Sequence, residues 1–160
     1  MTNSINNKSL DSSLLIVRIL LGSVVAAHGA QKLFGWFGGY GFEGTMGFFT
    51  EEVGLPYVFG ILIILAETAG MLSLIVGLFS RVMAGALVVI MLGAIFSTHA
   101  QYGFFMNWSG TQGGEGYEFH LLIIALCSVV LLNGAGSFSL DNMIFRKFGE
   151  HVRSKEASYV

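Results

Sequence analysis

Four long apolar runs constrain this chain more than any other feature: about Leu14 to Ala27, Tyr57 to Phe79, Val82 to Thr98 and Phe119 to Leu132. Each extends through neutral neighbours to the ~20 residues needed to cross a hydrocarbon core of ~30 Å. A soluble bundle of the same helices would need outer faces rich in Lys and Glu. Only 11% of the 160 residues are charged, against roughly 25% in soluble domains, so those faces cannot be built. The pattern predicts an all-α fold: an integral membrane four-helix bundle, with the lipid bilayer as its first partner.

The first run must be weighed as a signal peptide, because Lys8 precedes it and Ala26-Ala27-His28-Gly29-Ala30 offers small residues for cleavage. Arg18 interrupts the apolar region such a peptide needs, so the run is read as a membrane helix. Lys8, Arg81, Arg146, Lys147, Arg153 and Lys155 fall on the side of the termini, and only Lys32 on the other. The positive-inside rule then makes both termini cytoplasmic in a multi-pass protein of the cell inner (plasma) membrane. Residues 1–13 form a polar, loosely ordered segment, with Ser9 or Asp11 as N-cap of the first span. Residues 14–141 form the membrane domain and residues 142–160 a cytoplasmic tail. No basic cluster suggests nucleic acid. The single Cys127 allows no internal disulfide and no CxxC pair, and reads as a buried thiol.

Glycine-rich aromatic loops join the spans on the outer side. The first carries Trp36, Tyr40, Phe48 and Phe49, and predicts a short interfacial helix over Thr45 to Val53, capped by Thr45 and stopped by Gly54. Pro56 suits the first turn of the second span. Small residues mark three stripes at helical spacing: Arg18, Gly22, Val25, Gly29 and Lys32; Gly60, Glu67, Gly70, Leu74 and Gly77; Gly85, Val89, Gly93, Phe96 and Ala100. Glycine on a stripe lets membrane helices approach closely, so these faces are expected to pack. They allow a homo-oligomer as well as an internal bundle.

Ionisable groups within such segments are costly, so they face partners, cavities or proton paths. At ~1.5 Å rise per residue, Glu67 lies roughly 16 Å below Pro56 and Arg18 roughly 15 Å inward of His28. The two are therefore expected to meet as a structural ion pair. A titrating Glu67, able to carry protons or accept a hydrogen bond from a quinol, is the alternative. His28, Gln31, Lys32, His99, Glu118 and His120 gather at the outer ends of their spans. They read either as interfacial side chains reaching head groups or as the polar rim of an outward pocket edged by Trp36, Tyr40 and Trp108. An apolar pocket with a few polar groups suits a quinone, with His or Glu taking the proton released on oxidation. Glu67 and His99 are the catalytic candidates, and His28, Gln31, Lys32, Trp36, Glu118 and His120 the ligand-binding ones. No HExxH or CxxC spacing supports a metal, and no haem signature accompanies the histidines.

The chain resembles the DoxX family of small membrane proteins over about residues 14–141. The resemblance is carried by Arg18-Ile-Leu-Leu-Gly22, His28-Gly29-Ala-Gln-Lys32-Leu-Phe-Gly35, Gly44-Thr45, Phe48-Phe49 and Gly54-Leu-Pro56. It continues through Glu67-Thr-Ala-Gly70, Gly77-Leu-Phe-Ser-Arg81, Tyr117-Glu118 and Gly134-Ala-Gly136-Ser-Phe-Ser-Leu-Asp141. Ala135 stands where proline is more usual, which affects only the turn. The resemblance implies a four-helix membrane bundle described as an oxidoreductase. Some relatives look like subunits of thiosulfate:quinone oxidoreductase, others accompany redox-stress or quinone-detoxification systems. The chain carries no flavin motif, Rossmann glycines or cysteine pair, so electron transfer needs a bound quinone or a redox partner subunit. A proton-coupled or small-molecule transporter, and a non-catalytic scaffold for a redox complex, are the other function classes.

Overall fold

A computed structural model describes the backbone of residues 2–147 and the side chains of residues 8–147. The described residues form helices and turns and contain no strand. Helix α1 (Thr2–Phe34) ends where Gly35 takes a left-handed φ of 72°, followed by a 3-10 turn at Trp36–Gly38. Helix α2 (Gly41–Gly47) widens into a π turn at Phe48–Glu52. Helix α3 (Tyr57–Leu65) begins just after Pro56 and passes through a π turn, Ala66–Gly70, into α4 (Met71–Val76). Helix α5 (Ser80–Ala94) continues through a π turn, Ile95–His99, and a 3-10 turn, Ala100–Tyr102. Helix α6 (Glu118–Asn133) follows the second long loop, and α7 covers residues 140–147. The tail expected beyond residue 147 lies outside the described residues.

Among the described residues, three stretches are long and apolar enough to cross a membrane: Lys8–Phe34, Tyr57–Val76 and Ser80–Tyr102. Helix α6 is apolar but shorter, at 16 residues. The core lies between α1, α4, α5 and α6, from Leu21, Val25, Met71, Leu74, Ala84, Leu87, Met91, Ile123, Cys127 and Val130. Their spacings of three and four keep each set on one helix face. The opposite faces are apolar too, with Ile16, Leu20, Leu62, Leu72, Val82, Val89 and Leu122 exposed. A helix apolar all round belongs in lipid or deep in a large core, and these faces have no such core around them.

Two of the three expected stripes face inward. Gly22 and Gly29 of α1 are buried, as are Gly60, Glu67, Gly70, Leu74 and Gly77. The third faces out: Val89 is 69% and Phe96 80% exposed, and nothing lies within 4 Å of a methyl group placed on Gly93. The inner face of α5 instead carries Ser80, Ala84, Leu87, Met91 and Ile95. Small residues permit close packing, but here larger side chains are needed to fill the space against Ile123, Cys127 and Val130 of α6.

Glycine sets the antiparallel register of α1 on α3 and α4. A methyl group on Gly29 would sit 2.6 Å from the carbonyl carbon of Glu67, and one on Gly22 would sit 3.0 Å from the carbonyl oxygen of Met71. At the inner end, Gly77 closes α4 with left-handed φ, the Gly77 amide donating to Leu74 and the Leu78 amide to Ser73. These paired bonds form a Schellman cap. The segment after α6 then threads beneath the helices. Asp141 accepts from the amides of Phe79 (2.8 Å) and Ser80 (2.9 Å) at the start of α5. Asp11 accepts from the Ser137 amide (2.8 Å), and Arg18 donates to the Phe138 carbonyl.

Local boundaries depart from the sequence reading in two places. Helix α1 begins at Thr2, so Ser9 and Asp11 lie inside it and neither caps it. Asp11 was free to look like a cap because its true partner, Ser137, is 126 residues away. The outer-loop helix starts at Gly41 rather than Thr45, and Thr45 is buried within it. Gly54, with φ of 73°, ends that segment as expected.

Two stability predictions follow from this packing. Gly29→Val drives a branched side chain into the Glu67 backbone and should lower unfolding free energy by about 1–3 kcal/mol, whereas Gly93→Ala should leave the thermal midpoint in detergent unchanged. Asp141→Ala uncaps α5 and should cost about 1 kcal/mol in the same melts.

Candidate functional site

Glu67 lies ten residues into the 20-residue stretch Tyr57–Val76, about 15 Å from its outer end. Its side chain is 4% exposed and its Oε2 lies 2.5 Å from Lys32 Nζ, which comes from the last turn of α1. The expected pair of Arg18 with Glu67 does not form. Contact at Gly29 brings the C-terminal part of α1 level with Glu67, while Arg18 lies against Gly77 and Ser139 toward the opposite end of the helices. Arg18 and Gly29 are eleven residues apart, roughly 16 Å along a helix. The long Lys32 side chain turns back along α1 and covers the remaining distance to the carboxylate. Arg18 is fully buried and serves the chain after α6 instead; its Nε and Nη1 have no hydrogen-bond partner among the described residues.

Lys32 also lines an open cleft of about 470 Å³ between the last turn of α1 and α2. Gln31 and Lys32 line one side, Thr45, Phe48 and Phe49 the other, and Tyr40 stands at the edge. Gly38, Gly39 and Gly44 complete the lining. Gly39 packs against Gln31, where a methyl group would fall 2.6 Å from its Cα, so only glycine lets this loop fold back over α1. Gln31 Nε2 donates to the Phe37 carbonyl (3.3 Å), which fixes the same turn. The result is an aromatic slot with amide, hydroxyl and ammonium groups at its rim. Of the ligand candidates read from sequence, Gln31 and Lys32 line it together with the edge residue Tyr40. Trp36 stacks on Phe34, with ring centroids 5.1 Å apart, and is not among the lining residues.

The remaining candidates gather on the side of α6. His99 and His120 stack with ring centroids 4.2 Å apart. His99 Nδ1 lies 2.8 Å from the Glu115 carbonyl, which accepts the bond and so holds the proton on Nδ1. His120 is buried, and its Nδ1 has no partner among the described residues. His28 meets Phe119, its ring 5.9 Å away. Glu118 turns into the second outer loop, where its Oε1 accepts from the Met106 amide (2.9 Å) and Trp108 Nε1 (3.1 Å). This carboxylate folds the loop rather than facing the cleft. Among the described residues no group of three or more His, Cys, Asp or Glu could hold a metal.

Thr45, Phe48 and Phe49 join the cleft although sequence spacing offered them only as a surface helix. Their signal was the glycine pair at 38–39, which lets the loop reverse and lay α2 against α1. Glu67 and His99 each lie within a π turn. Such turns occur often at functional sites, and sequence periodicity does not reveal them.

A family match to DoxX covers residues 13–100. The chain belongs to the DoxX family. It is also similar to the protein named "Putative oxidoreductase CatD" of Bacillus subtilis (strain 168), 26% identical over 140 residues that span 88% of this chain and 92% of that protein. No solved structure matches it significantly. Membership and the apolar helices together make this DoxX chain a helical membrane protein, and the family match takes in Arg18, His28, Lys32, Glu67 and His99.

The pairing of Lys32 with Glu67 gives a direct test. Lys32→Met leaves a buried carboxylate without its partner and should destabilise the protein by roughly 3 kcal/mol. The double variant Lys32→Met/Glu67→Leu removes both charges and should recover most of that loss in thermal melts. A larger loss in the double variant than in the single would refute the pairing.

Proposed function

We propose that this protein is a membrane-embedded redox subunit, a four-helix bundle with α6 as its fourth span, that binds a quinone-like molecule near the outer face of the cell inner membrane. The cleft beside Lys32 is the observation that carries the reading. Its aromatic walls suit a planar ring, and Lys32, Gln31, Thr45 and Tyr40 offer hydrogen bonds to ring carbonyls at its edge. The relative named as an oxidoreductase supports the same class of chemistry. Helix α2 with its π turn is the interfacial helix of this arrangement, and it forms the cleft's outer wall.

Glu67 is the buried carboxylate behind the cleft, reached through Lys32. His99, stacked on His120, is the second titratable centre of the outer layer. These groups handle protons; the chain itself supplies no group that stores electrons, so a redox partner subunit must give or take them. The concentration of Lys8, Arg81, Arg146 and Lys147 toward one end of the helices, with Lys32 alone at the other, supports cytoplasmic termini and an outer cleft.

Titration of the purified full chain with a ubiquinone or menaquinone analogue should give saturable binding in detergent and in nanodiscs. Phe48→Ala, which removes one wall of the slot, should weaken it by tenfold or more. Absence of saturable binding in both environments would sink the reading.

A further inference from the structure

The charge balance of the cleft restricts what enters it. Lys32 is the only ionisable group other than Tyr40 on its lining. That ammonium is already matched by Glu67, 2.5 Å away and almost wholly buried behind it. The site as a whole is therefore neutral, although a cation forms its visible edge. Lys32 is 27% exposed and has three N–H donors, of which Glu67 occupies one. The others remain available to a ligand oxygen. An uncharged carbonyl can take such a bond while the Lys32–Glu67 pair stays intact. An anionic oxygen in the same place would lie one side chain away from a carboxylate that cannot move into water. It gains from Lys32 in direct contact, and the repulsion of Glu67, one side chain further off, offsets part of that gain.

We infer that Glu67 acts through Lys32 as a charge filter, so that the cleft admits neutral carbonyl-bearing rings and rejects their anionic counterparts. This rests on the cleft being the ring site proposed above and adds to it the selection rule. Glu67 is here a positioning residue: it touches Lys32 rather than the ligand, holding the ammonium at the wall and cancelling its field. Tyr40, Thr45 and Phe48 do not distinguish the two ligand charges, because each is neutral. The discrimination therefore belongs to one pair of side chains.

Two rings that differ by one ionised hydroxyl test it: 1,4-naphthoquinone, which is neutral, and 2-hydroxy-1,4-naphthoquinone, which is an anion at neutral pH. Binding of each to the full chain in nanodiscs is measured by calorimetry against empty nanodiscs. The wild type should favour the neutral ring by at least tenfold. Glu67→Gln leaves Lys32 unmatched and should tighten the anion by tenfold or more, with little change for the neutral ring. Lys32→Gln/Glu67→Gln removes both charges together, and should favour the neutral ring as the wild type does. Wild-type protein that binds both rings equally, or a Glu67→Gln ratio within twofold of the wild type, overturns the filter while leaving the ring site standing. If neither ring binds the wild type, the ring site falls and the filter with it.

Discussion

The approach of α1 to α3 and α4 at Gly22 and Gly29 is the contact on which the polar chemistry depends. Side chains at these two positions would collide with Met71, Ile75, Glu67 and Thr68. With glycine there, the helices meet nearly backbone to backbone and can slide to only one register. That register decides both ends at once. It places Lys32 one turn beyond the Glu67 contact, within reach of the carboxylate, and sets Arg18 against Gly77, within reach of the chain after α6. Dispersion and close approach drive helix association in lipid, because the tails are as apolar as the side chains. The charged groups take the partners that this packing leaves them.

Arg18 and Lys32 of α1 therefore do different work. Lys32 meets a carboxylate, so that neither charge stands alone at depth. Arg18 meets a backbone carbonyl and a tight turn rather than an acid, and it ties α1 to the segment that follows α6. Together with Asp11 and Asp141 it binds chain regions more than sixty residues apart into one inner layer. Arg18, Asp11 and Asp141 all bond to backbone there, whereas Lys32 meets Glu67 and His99 meets His120 side chain to side chain.

Much of the fold was legible because its cause is one-dimensional. Apolar length gave the helices, Gly54 gave the stop of the loop helix, and the spacing of Gly60, Glu67, Gly70, Leu74 and Gly77 put Glu67 inside. Register was not legible, since it depends on which glycine of one helix meets which backbone of another. Counting depth from the wrong outer residue shifted α1 and exchanged Lys32 for Arg18 as the partner of Glu67. The third stripe failed for a related reason: Gly93 permits a contact, but permission does not supply the neighbour. Of the cleft, Gln31, Lys32 and Tyr40 were legible as a pocket rim, but the wall of Thr45, Phe48 and Phe49 was not, because a loop reversal at Gly38 and Gly39 brings it against α1.

The π turns explain how Glu67 and His99 keep their orientation where ordinary helical geometry would lose it. Along α5 the buried positions Leu87, Met91 and Ile95 are four apart, with His99 the next step. In a regular α-helix three such steps rotate a side chain by roughly 120° about the axis. His99 would then leave the face that meets α6. The wider turn at Ile95–His99 takes up the excess, and the imidazole remains stacked on His120. Glu67 enters the corresponding turn of the second span, where the next residue, Thr68, returns its hydroxyl to the Ile64 carbonyl at 2.6 Å. A wide turn is a departure from the most stable helix, and it persists only where packing on both sides holds it. Its presence at Glu67 and at His99 ties both residues to the same close packing that sets the register.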